Sequence, residues 1–229
     1  MATRMRPQVA LFLKNRPRQA RAKRTCDNIL SAAAALLVEV GVERISTNLI
    51  AERAGITVPA LYRYFPNKYA VLYALGADLM DRQSAIFEQW YEYHLDTSGV
   101  AVLLDNIHSV LMETYAITRD QVGGREITQA LRAVQPLQGL PRESHQLMST
   151  RFAARLSLVI GSQVVDGGAM LAHARLSVAT CYALVEMALA DTREDAELIL
   201  RQGGRMMALY WRDVLAEGVG SVEPEAAED

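Results

Sequence analysis

The sequence predicts an all-α protein with an N-terminal helix-turn-helix domain of three helices and a larger C-terminal helical domain, about nine helices in all. Apolar residues recur at the three- and four-residue steps of an α-helix, and no segment shows a convincing period-two strand pattern. Residues 47–68, TNLIAERAGITVPALYRYFPNK, read as two short helices joined by a turn that contains Gly. The charge is also divided unevenly, with basic residues gathered near the N-terminus.

The net charge of −2 combines a basic N-terminal part with an acidic remainder. Residues 1–68 carry twelve Lys or Arg and four Asp or Glu, a net charge of +8. Residues 69–229 carry twelve Lys or Arg and twenty-two Asp or Glu, a net charge of −10. A basic end that can meet phosphate, joined to an acidic body that cannot, is typical of a nucleic-acid-binding protein with a regulatory domain.

Residues 1–22 are expected to form a flexible basic arm, because they contain two prolines and no acidic residue. Residues 1–13 fit equally well a solvated tail without a role. The later basic residues are better placed to touch phosphates or a minor groove; they are Arg16, Arg18, Arg21, Lys23 and Arg24. The first helix is expected over residues 23–40 and ends at Gly41. Its apolar stripe consists of Cys26, Ile29, Ala33, Leu36, Leu37 and Val40.

The second helix is expected over residues 48–54, with Thr47 as its N-cap and with Leu49 and Ile50 facing inward. Gly55 breaks this helix, and Ile56 fills the turn that follows. Two helices around a short turn containing Gly form the helix-turn-helix pattern, in which the second helix enters a DNA major groove.

The third helix is expected over residues 58–65, capped by Thr57. Pro59 lies early in this helix, where a missing backbone N–H does no harm. Leu61 and Phe65 lie four residues apart on one face and should pin the helix to a small core. The residues that then point outward are Thr57, Pro59, Ala60, Arg63 and Tyr64, with Tyr62 at the edge.

Six further helices are expected after Pro66. They cover residues 67–93, 100–118, 125–134, 142–164, 169–190 and 193–217. Residues 96–99, 135–141 and 166–168 are expected to separate helices as turns or breaks. Thr192 and Asp195 form a capping box for the last helix. The predicted organisation is a basic arm at 1–22, a DNA-binding domain at 23–75, a ligand-binding and dimerisation domain at 76–217, and an acidic disordered tail at 218–229.

The helix-turn-helix segment resembles the DNA-binding signature of TetR-family transcriptional repressors. The matching pattern is Ile50-Ala51-x-x-Ala54-Gly55-Ile56-Thr57 followed by Leu61-Tyr62-x-Tyr64-Phe65-x-x-Lys68. The resemblance runs over about residues 23–75, and the remainder is similar to the family only in length and helical content. It implies dimeric DNA binding that a ligand can release, and it does not name the ligand. Family members more often carry His where Tyr64 stands, and Tyr keeps a hydrogen-bonding tip.

Contacts to phosphates set affinity, and contacts to base edges set sequence preference. By the resemblance, the residues that correspond to phosphate contacts are Thr47, Tyr62, Tyr64 and Lys68. From the outward face of the third helix, the candidates for base reading are Thr57, Pro59, Ala60 and Arg63. Arg63 can pair with a guanine edge, while Pro59 and Ala60 can meet a thymine methyl. For the tyrosines, ordinary packing stays an alternative to a DNA contact. For Arg63, the alternative is a solvated side chain.

The last two helices are candidates for a dimer interface, because a two-fold dimer reads a palindromic site. They carry small and apolar residues at helical spacing. The candidates are Ala179, Ala183, Met187, Ile199, Gly203, Met206, Met207, Tyr210 and Val214. The same stripes can equally face the chain's own core, and a helix that is apolar on most of its circumference needs both partners.

A small-molecule pocket is expected among the long fourth helix, the fifth helix and the seventh, where apolar residues surround a few polar groups. The candidates are Phe87, Trp90, Tyr91, His94, Leu104, His108, Leu111, Tyr115, Phe152, Arg155, Val159 and Gln163. These residues favour an apolar or aromatic compound, and they equally describe a helical core with boundary residues. A ligand that shifts the fourth helix would change the spacing of the two DNA-reading helices and lower DNA affinity.

Other classes of protein lack sequence signals. The four histidines lie in no metal-binding pattern, and GxSxG, GxxxxGK[ST] and GxGxxG after a strand are absent, so no catalytic residue, metal or cofactor is expected. Cys26 and Cys181 are expected to be small buried residues in a reducing cytosol, with redox sensing as the alternative. The apolar run at residues 9–13 is too short for a membrane span, so a cytoplasmic protein without a membrane partner is expected.

Two alternatives to a ligand-released repressor stay open. The chain could be an all-helical small-molecule-binding or catalytic protein whose basic arm is incidental. It could also be a regulator that responds to a protein partner rather than to a small molecule.

Overall fold

The computed structural model of the chain describes residues 9–13, 19–160 and 165–220. Within these residues the backbone forms ten α-helices and no strand, so the all-α prediction is confirmed. The helices are α1 Ala20–Arg44, α2 Thr47–Arg53, α3 Val58–Tyr62, α4 Lys68–Tyr91, α5 Thr97–Asp105, α6 Ile107–Asp120, α7 Gly124–Ala133, α8 Gly139–Ile160, α9 Gly167–Ala190 and α10 Arg193–Gly220. A π-helical turn at Glu92–Asp96 follows α4, and a 3₁₀ turn at Gln135–Leu137 lies in the segment that was expected to be a loop.

The helices belong to two compact units. The first unit comprises Met1–Asp81 and Thr118–Arg142, and the second comprises Arg82–Ile117 and Glu143–Asp229. The first unit therefore contains the predicted DNA-binding segment together with α7, which lies far beyond residue 75 in the sequence. The functional division of the chain at residue 75 remains a prediction.

The core of the first unit is formed by the apolar stripe of α1 and by side chains of the helix-turn-helix segment. Ile29 and Ala33 of α1 are fully buried, and so are Ile50, Leu61 and Phe65. Burial of each large apolar side chain contributes about 1.5–3 kcal/mol to folding. This core holds α2 and α3 in place from one side. Leu49, which was also expected to face inward, is instead 37% exposed, because Ile50 and Ala51 form the buried face of this short helix.

Gly41 introduces a kink into α1 instead of ending it. Its φ of 73° lies in the left-handed region, which glycine adopts without a Cβ clash. The chain then continues to Arg44, whose Nε donates to the carbonyl of Val40 at 3.0 Å. The end of the first helix predicted at Gly41 is therefore a kink, followed by one short additional turn.

Close helix approach brings α7 into the first unit. A Cβ on Gly123, just before α7, would lie 2.9 Å from the carbonyl oxygen of Ala34 in α1. A Cβ on Gly76 of α4 would lie 2.6 Å from Leu131 Cδ2 of α7. The absence of a side chain at these two points lets α7 pack against both α1 and α4.

In the second unit, the single helix predicted over residues 100–118 is two helices, α5 and α6, which are bent by 50° relative to each other. The Trp90 Nε1–H donates to the carbonyl of Asn106 at 3.0 Å, and the Ser109 hydroxyl donates to the same carbonyl at 2.8 Å. The same carbonyl also accepts from the Ser109 backbone N–H at 3.0 Å, so three donors satisfy it at the break. The prediction was wrong here because the apolar period continues through the break.

The N-termini of α9 and α10 are fixed by side-chain caps. Asp166 Oδ2 accepts from the N–H groups of Gly168 and Ala169 at 2.9 and 3.3 Å, so the break expected at residues 166–168 is the start of α9. Thr192 Oγ1 accepts from the Asp195 N–H at 3.4 Å and donates to Asp195 Oδ2 at 2.6 Å. The Thr192 half of the predicted capping box is therefore present, whereas the Asp195 carboxylate pairs with the Thr192 hydroxyl instead of the Thr192 backbone N–H.

Two helices, α1 and α9, are long and apolar enough to cross a bilayer by length and composition alone. Both place many of these apolar residues inside the fold. Ile29 and Leu37 of α1 lie in the core of the first unit, and Met170, Ala174 and Val178 of α9 are buried in the second. Packing within each unit gives these helices a reason to be apolar that requires no membrane.

Candidate functional site

The helix-turn-helix segment begins with Ser46, which caps α2. Its Oγ accepts from the N–H of Leu49 at 3.3 Å. Thr47 is the first helical residue, so the cap predicted at Thr47 is wrong by one position. Ser and Thr are both favourable N-caps, and the sequence offers them side by side.

The turn between α2 and α3 closes around Gly55, whose φ is 65°. The Gly55 N–H donates to the carbonyl of Glu52 at 3.1 Å, and the Ile56 N–H donates to the carbonyl of Ala51 at 3.0 Å. This pair of bonds is a Schellman motif, which uses the left-handed residue to end a helix sharply. It fixes the direction in which the chain enters α3.

The start of α3 matches the prediction, and its end comes earlier. Thr57 Oγ1 accepts from the Ala60 N–H at 3.3 Å, and Pro59 lies in the first turn. The regular helix stops at Tyr62 instead of residue 65. The N–H groups of Tyr64 and Phe65 both donate to the carbonyl of Leu61, at 2.9 and 3.0 Å, so the chain stays wound beyond the helix.

The two faces of this segment separate as predicted. Leu61 and Phe65 are completely buried in the core of the first unit. Thr57, Pro59 and Arg63 are exposed, and Ala60 is half-buried. A helix that is anchored on one face and presents its N-terminal residues on the other can insert into a major groove.

The residues that the resemblance assigns to phosphates lie beside this exposed face. The hydroxyl oxygens of Thr47 and Tyr62 are 3.1 Å apart, which joins the start of α2 to the end of α3. Tyr62 is 40% exposed, and Tyr64 is half-buried. Tyr62 therefore has an accessible ring as well as a hydroxyl that is held in place.

Lys68 has a structural role at the start of α4. Its Nζ donates to the carbonyls of Val42 and Ile45, both at 3.2 Å. These carbonyls belong to the chain around the end of α1, so the ammonium group ties α1 to α4. An ammonium has three N–H donors, and these bonds use two of them. The phosphate contact expected of Lys68 stays a prediction that the remaining donor must serve.

An exposed ion pair connects α1 to α2. The two terminal guanidinium nitrogens of Arg53, Nη1 and Nη2, donate to the Glu39 carboxylate at 2.7 and 2.6 Å. The hydrogen bonds from Arg53 hold the pKa of Glu39 below its usual range. The ion pair therefore stabilises the position of α2 at pH values above the ordinary carboxyl pKa. This stabilisation is lost as the pH falls through the lowered pKa of Glu39.

Basic residues of the first turns of α1 add to the positive charge of this unit. Arg21, Lys23 and Arg24 are all exposed. Arg16 and Arg18 lie outside the described residues. Exposed basic side chains near a reading helix can neutralise phosphates without reading sequence.

Part of the N-terminal segment contacts the start of α4. The Asn67 side chain donates to the carbonyl of Ala10 at 2.9 Å and accepts from the N–H of Ala70 at 2.9 Å. The ring of Phe12 meets Tyr73 edge to face at a centroid distance of 5.4 Å. Residues 9–13 are thus attached to the first unit, a contact that no sequence pattern indicated.

Four predicted pocket residues meet in one groove of the second unit, between α4 and α8. The groove has a volume of about 400 Å³, and the four residues are Phe87, Tyr91, Phe152 and Arg155. The ring of Phe152 meets those of Phe87 and Tyr91 edge to face, at 5.3 and 6.1 Å. The Arg155 guanidinium lies 4.6 Å from the centre of the Tyr91 ring. This groove combines aromatic walls with a cation.

Among the described residues, the polar groups at this groove are one hydroxyl without a partner and two ion pairs. The Tyr91 hydroxyl is buried and has no hydrogen-bond partner in the described part of the chain. Ion pairs join Glu88 to Arg151 and Glu92 to Arg155 along the same groove. A buried hydroxyl without a partner is unfavourable by about 1–3 kcal/mol.

The other predicted pocket residues do not join this groove. Trp90, Leu111 and Tyr115 are buried in the core, and His94 packs against the ring of Trp90. Leu104 and His108 line a different groove. Val159 is exposed, and Gln163 lies outside the described residues. Leu104 and His108 lie on either side of the break at Asn106 and still share a groove, whereas Leu111 and Tyr115 are buried, so the face predicted over residues 100–118 divides between a groove and the core.

The predicted dimer residues divide into an exposed set and a buried set. Ala179, Ala183, Met187 and Met206 are exposed. The remaining ones are buried or half-buried within the single chain; they are Ile199, Gly203, Met207, Tyr210 and Val214. A Cβ on Gly203 would lie 2.5 Å from Leu184 Cδ1, so this glycine lets α9 and α10 pack closely within one chain. Part of each stripe therefore packs within the chain, and the dimer interface stays a prediction.

Comparison with known proteins identifies the first unit. The family of bacterial regulatory proteins described as tetR family matches residues 29–75. Tetracycline repressor protein class A from transposon 1721 of Escherichia coli is 44% identical over 54 residues, which cover 24% of this chain and 25% of that protein. The chain thus matches about a quarter of the length of this curated relative.

Solved structures extend the likeness in fold to most of the chain. A TetR-family transcriptional regulator from Streptomyces coelicolor aligns with 83% of this chain and 99% of its own, at 24% identity and a TM-score of 0.57. A putative TetR-family regulator from Syntrophomonas wolfei aligns with 82% of this chain and 96% of its own, at 16% identity and a TM-score of 0.63. The helix-turn-helix geometry and the family match show that residues 29–75 carry the DNA-binding region of the tetR family of bacterial regulatory proteins, and the chain shares the fold of these solved structures.

Proposed function

We propose that the chain is a sequence-specific transcriptional repressor that binds a palindromic operator as a homodimer and is released by a small apolar or aromatic ligand. The observation that supports this most directly is the division of faces in the α3 segment. Leu61 and Phe65 are completely buried, whereas Thr57, Pro59 and Arg63 are exposed. The buried face anchors this segment to the core, and the exposed face presents a side chain that can read a base.

Arg63 is the residue that most directly links this geometry to sequence preference. It lies at the C-cap of α3, next to Tyr62, on the exposed side of the segment. A guanidinium can donate two parallel hydrogen bonds to the O6 and N7 atoms of guanine, and no other base offers that pair of acceptors. Thr57, Pro59 and Ala60 supply smaller surfaces for neighbouring bases.

The substitution Arg63→Ala tests the reading role. We expect it to weaken binding to an operator by about 1–3 kcal/mol and to leave binding to scrambled DNA nearly unchanged. The matched control is Lys23→Ala, which removes an exposed cation from α1 and should weaken both complexes alike. An equal loss on operator and scrambled DNA for Arg63→Ala would refute base reading.

A homodimer is proposed because α9 and α10 carry an apolar surface that the single chain leaves exposed. This dimer surface consists of Leu176, Ala179, Ala183 and Met187 on α9 with Leu198, Met206 and Leu209 on α10. Its five large residues are each 51–55% exposed. Large apolar residues exposed on two neighbouring helices favour an interaction surface, and an isologous pairing of two chains would cover them.

The proposed effector site is the groove between α4 and α8. Its volume of about 400 Å³ suits a small molecule, and Phe87, Tyr91 and Phe152 give it aromatic walls. By contrast, two voids deeper in the second unit have volumes of only about 20 Å³ each, so they leave little room for a ligand.

The long helix α4 offers a route for the regulatory effect. Residues 68–81 of α4 belong to the first unit, and residues 82–91 belong to the second. Phe87 and Tyr91 lie in the second portion and line the proposed effector site. A ligand that binds better to one position of α4 than to another would shift the population of conformations. The spacing of the two DNA-reading helices in a dimer would change, and the DNA affinity would change with it.

This role places the protein in the cytoplasm, with double-stranded DNA, a small-molecule effector and a second copy of the chain as partners and no membrane partner. The DNA-independent alternative, a small-molecule-binding or catalytic protein, would be supported by turnover of a bound compound without DNA binding. Control by a protein partner would be supported if small molecules never displaced the operator.

A further inference from the structure

A second groove in the second unit lies between α10 and the junction of α5 with α6. Its volume is about 470 Å³, within the range of small-molecule sites. Most of its lining is apolar, and Leu104, Met112 and Ala208 contribute to this part. It shares no lining residue with the groove between α4 and α8.

The groove is formed by a distinct face of α10. At 3.6 residues per turn, Arg201, Arg205, Ala208 and Arg212 fall on one side of the helix. The buried residues of α10, such as Met207, fall on a second side, and the dimer surface occupies a third. This helix is therefore used on three sides, and the groove side is the one that carries arginines.

The two acidic residues of the groove are already paired. Asp105 forms an ion pair with Arg212, which bridges α5 and α10 at one end of the groove. Glu197 lies 3.6 Å from the Arg193 guanidinium, one turn earlier on α10. Neither carboxylate is paired with the arginines in the middle of the groove.

Arg201 and Arg205 have no ion-pair or hydrogen-bond partner in the part of the chain that the structure describes. They lie in a portion of the sequence, residues 69–229, that is strongly acidic overall. Two unpaired guanidinium groups beside apolar walls, in an otherwise acidic domain, are a local exception. Guanidinium groups are well suited to bind carboxylates and phosphates through paired N–H donors.

The groove forms where α10 and α6 approach each other closely. A Cβ on Gly204 would lie 2.8–2.9 Å from backbone and Cβ atoms of His108, so α10 and α6 meet without an intervening side chain. His108 also lines the groove, together with the arginines of α10. The groove thus combines basic and apolar side chains.

We propose that this groove binds an amphipathic organic anion, with its carboxylate or phosphate on Arg201 and Arg205 and its apolar body against Leu104, Met112 and Ala208. The site is separate from the effector groove between α4 and α8. Its occupancy is a second input to the protein.

The test is calorimetric titration of the full chain with decanoate and with decyl phosphate below their aggregation concentrations, and with uncharged 1-decanol as the control ligand. We expect saturable binding of at least one anion, weakening as salt rises, and much weaker binding of 1-decanol. The preference between decanoate and decyl phosphate shows which head group the arginines accept.

The double variant Arg201→Gln with Arg205→Gln should lose about 10-fold or more in anion affinity, because two charge-assisted contacts disappear. Arg175→Gln, an exposed substitution on α9 outside the groove, should bind as the original chain does. Circular dichroism checks that each variant is folded. Absence of saturable binding by both anions, or unchanged affinity in the folded double variant, would overturn the proposal. Since the residues differ from those of the DNA interface, operator binding by the same double variant shows separately whether the proposed repressor function stands.

Discussion

The hydroxyl oxygens of Thr47 and Tyr62 lie 3.1 Å apart and join the first residue of α2 to the last residue of α3. The resemblance assigns each of these two residues separately to a phosphate contact. Their hydrogen bond makes them one polar unit at the edge of the reading helix. A phosphate bound there would meet two hydroxyl groups whose positions depend on each other.

Thr47→Val and Tyr62→Phe should each weaken DNA binding about 3- to 10-fold, on operator and scrambled DNA alike, because each removes a phosphate contact. The double variant should lose less than the sum of the single losses, since each single change already breaks the shared bond. Fluorescence anisotropy titrations measure these affinities, and Tyr93→Phe in the second unit is the control. Fully additive losses would show that the two hydroxyls act independently.

Lys68→Met should affect both stability and DNA binding. The ammonium bonds two carbonyls near the end of α1, so its removal should lower the free energy of unfolding by about 1–3 kcal/mol. If Lys68 also contacts a phosphate, the slope of log affinity against log salt should fall by about one. Denaturant unfolding and salt-dependent titration separate the two effects. A loss of stability with an unchanged salt slope would contradict the phosphate contact.

Gly55→Ala should destabilise the helix-turn-helix by about 1–2 kcal/mol, because residue 55 has a φ of 65° that an L side chain adopts with strain. No heavy atom lies within 4 Å of a Cβ built there, so the backbone conformation alone causes the loss. Gly167→Ala is the control, since its Cβ also meets nothing within 4 Å and its φ is not in the left-handed region. Equal denaturation midpoints for the two variants would contradict this account of the turn.

Met206→Glu should convert the proposed dimer into a monomer, because it places a charge in the middle of an apolar interface. Light scattering at micromolar concentration should give twice the chain mass of 25.3 kDa for the original protein and the single mass for the variant. Leu158→Glu on α8 is the control, since Leu158 is 84% exposed and lies outside the dimer surface. A monomeric original protein would remove the dimer from the proposal.

The thiol of Cys181 should be unreactive at neutral and mildly alkaline pH. Burial raises the pKa of this thiol to about 12, so very little thiolate is present at pH 8. Burial, with a smaller effect of Asp27, also raises the pKa of Cys26. Modification by a disulfide reagent should be at least about 100-fold slower in the folded chain than in guanidinium. Rapid modification of Cys181 in the folded state would instead favour redox sensing.

The fold of the first unit could be predicted from sequence because its signals are local. Gly55, the Thr57 cap and the spacing of Leu61 and Phe65 each act within a few residues, and the structure contains all three. The cap at Ser46 was missed because a second good cap, Thr47, follows it directly. Local signals fix the type of an element better than its first residue.

The second unit was harder to predict because its decisive contacts are distant in sequence. At the break, the Asn106 carbonyl accepts from the indole N–H of Trp90, which lies sixteen residues earlier. No periodicity within residues 100–118 reveals that donor. The groove between α4 and α8 likewise depends on pairs such as Glu88 with Arg151, which are 63 residues apart. Aromatic residues could be recognised as candidate walls, but their grouping required the folded chain.

The roles of individual residues divide in the same way. Arg63 and Pro59 were placed on the outward face from helical spacing, and both are exposed. Lys68 was interpreted from the resemblance alone, and its bonds to the end of α1 appear only in three dimensions. Met207 was placed at an interface because it belongs to an apolar stripe, yet it packs against Cys181 inside the chain.

The most direct test of the central claim is selection of bound fragments from the DNA of the protein's own host by the purified chain at near-physiological salt. The account predicts enrichment of a palindromic motif, with half-sites about one helical turn or a multiple apart, and loss of this motif with Arg63→Ala. Uniform binding across sequences, or no binding, would contradict the proposal that the exposed face of α3 reads DNA sequence.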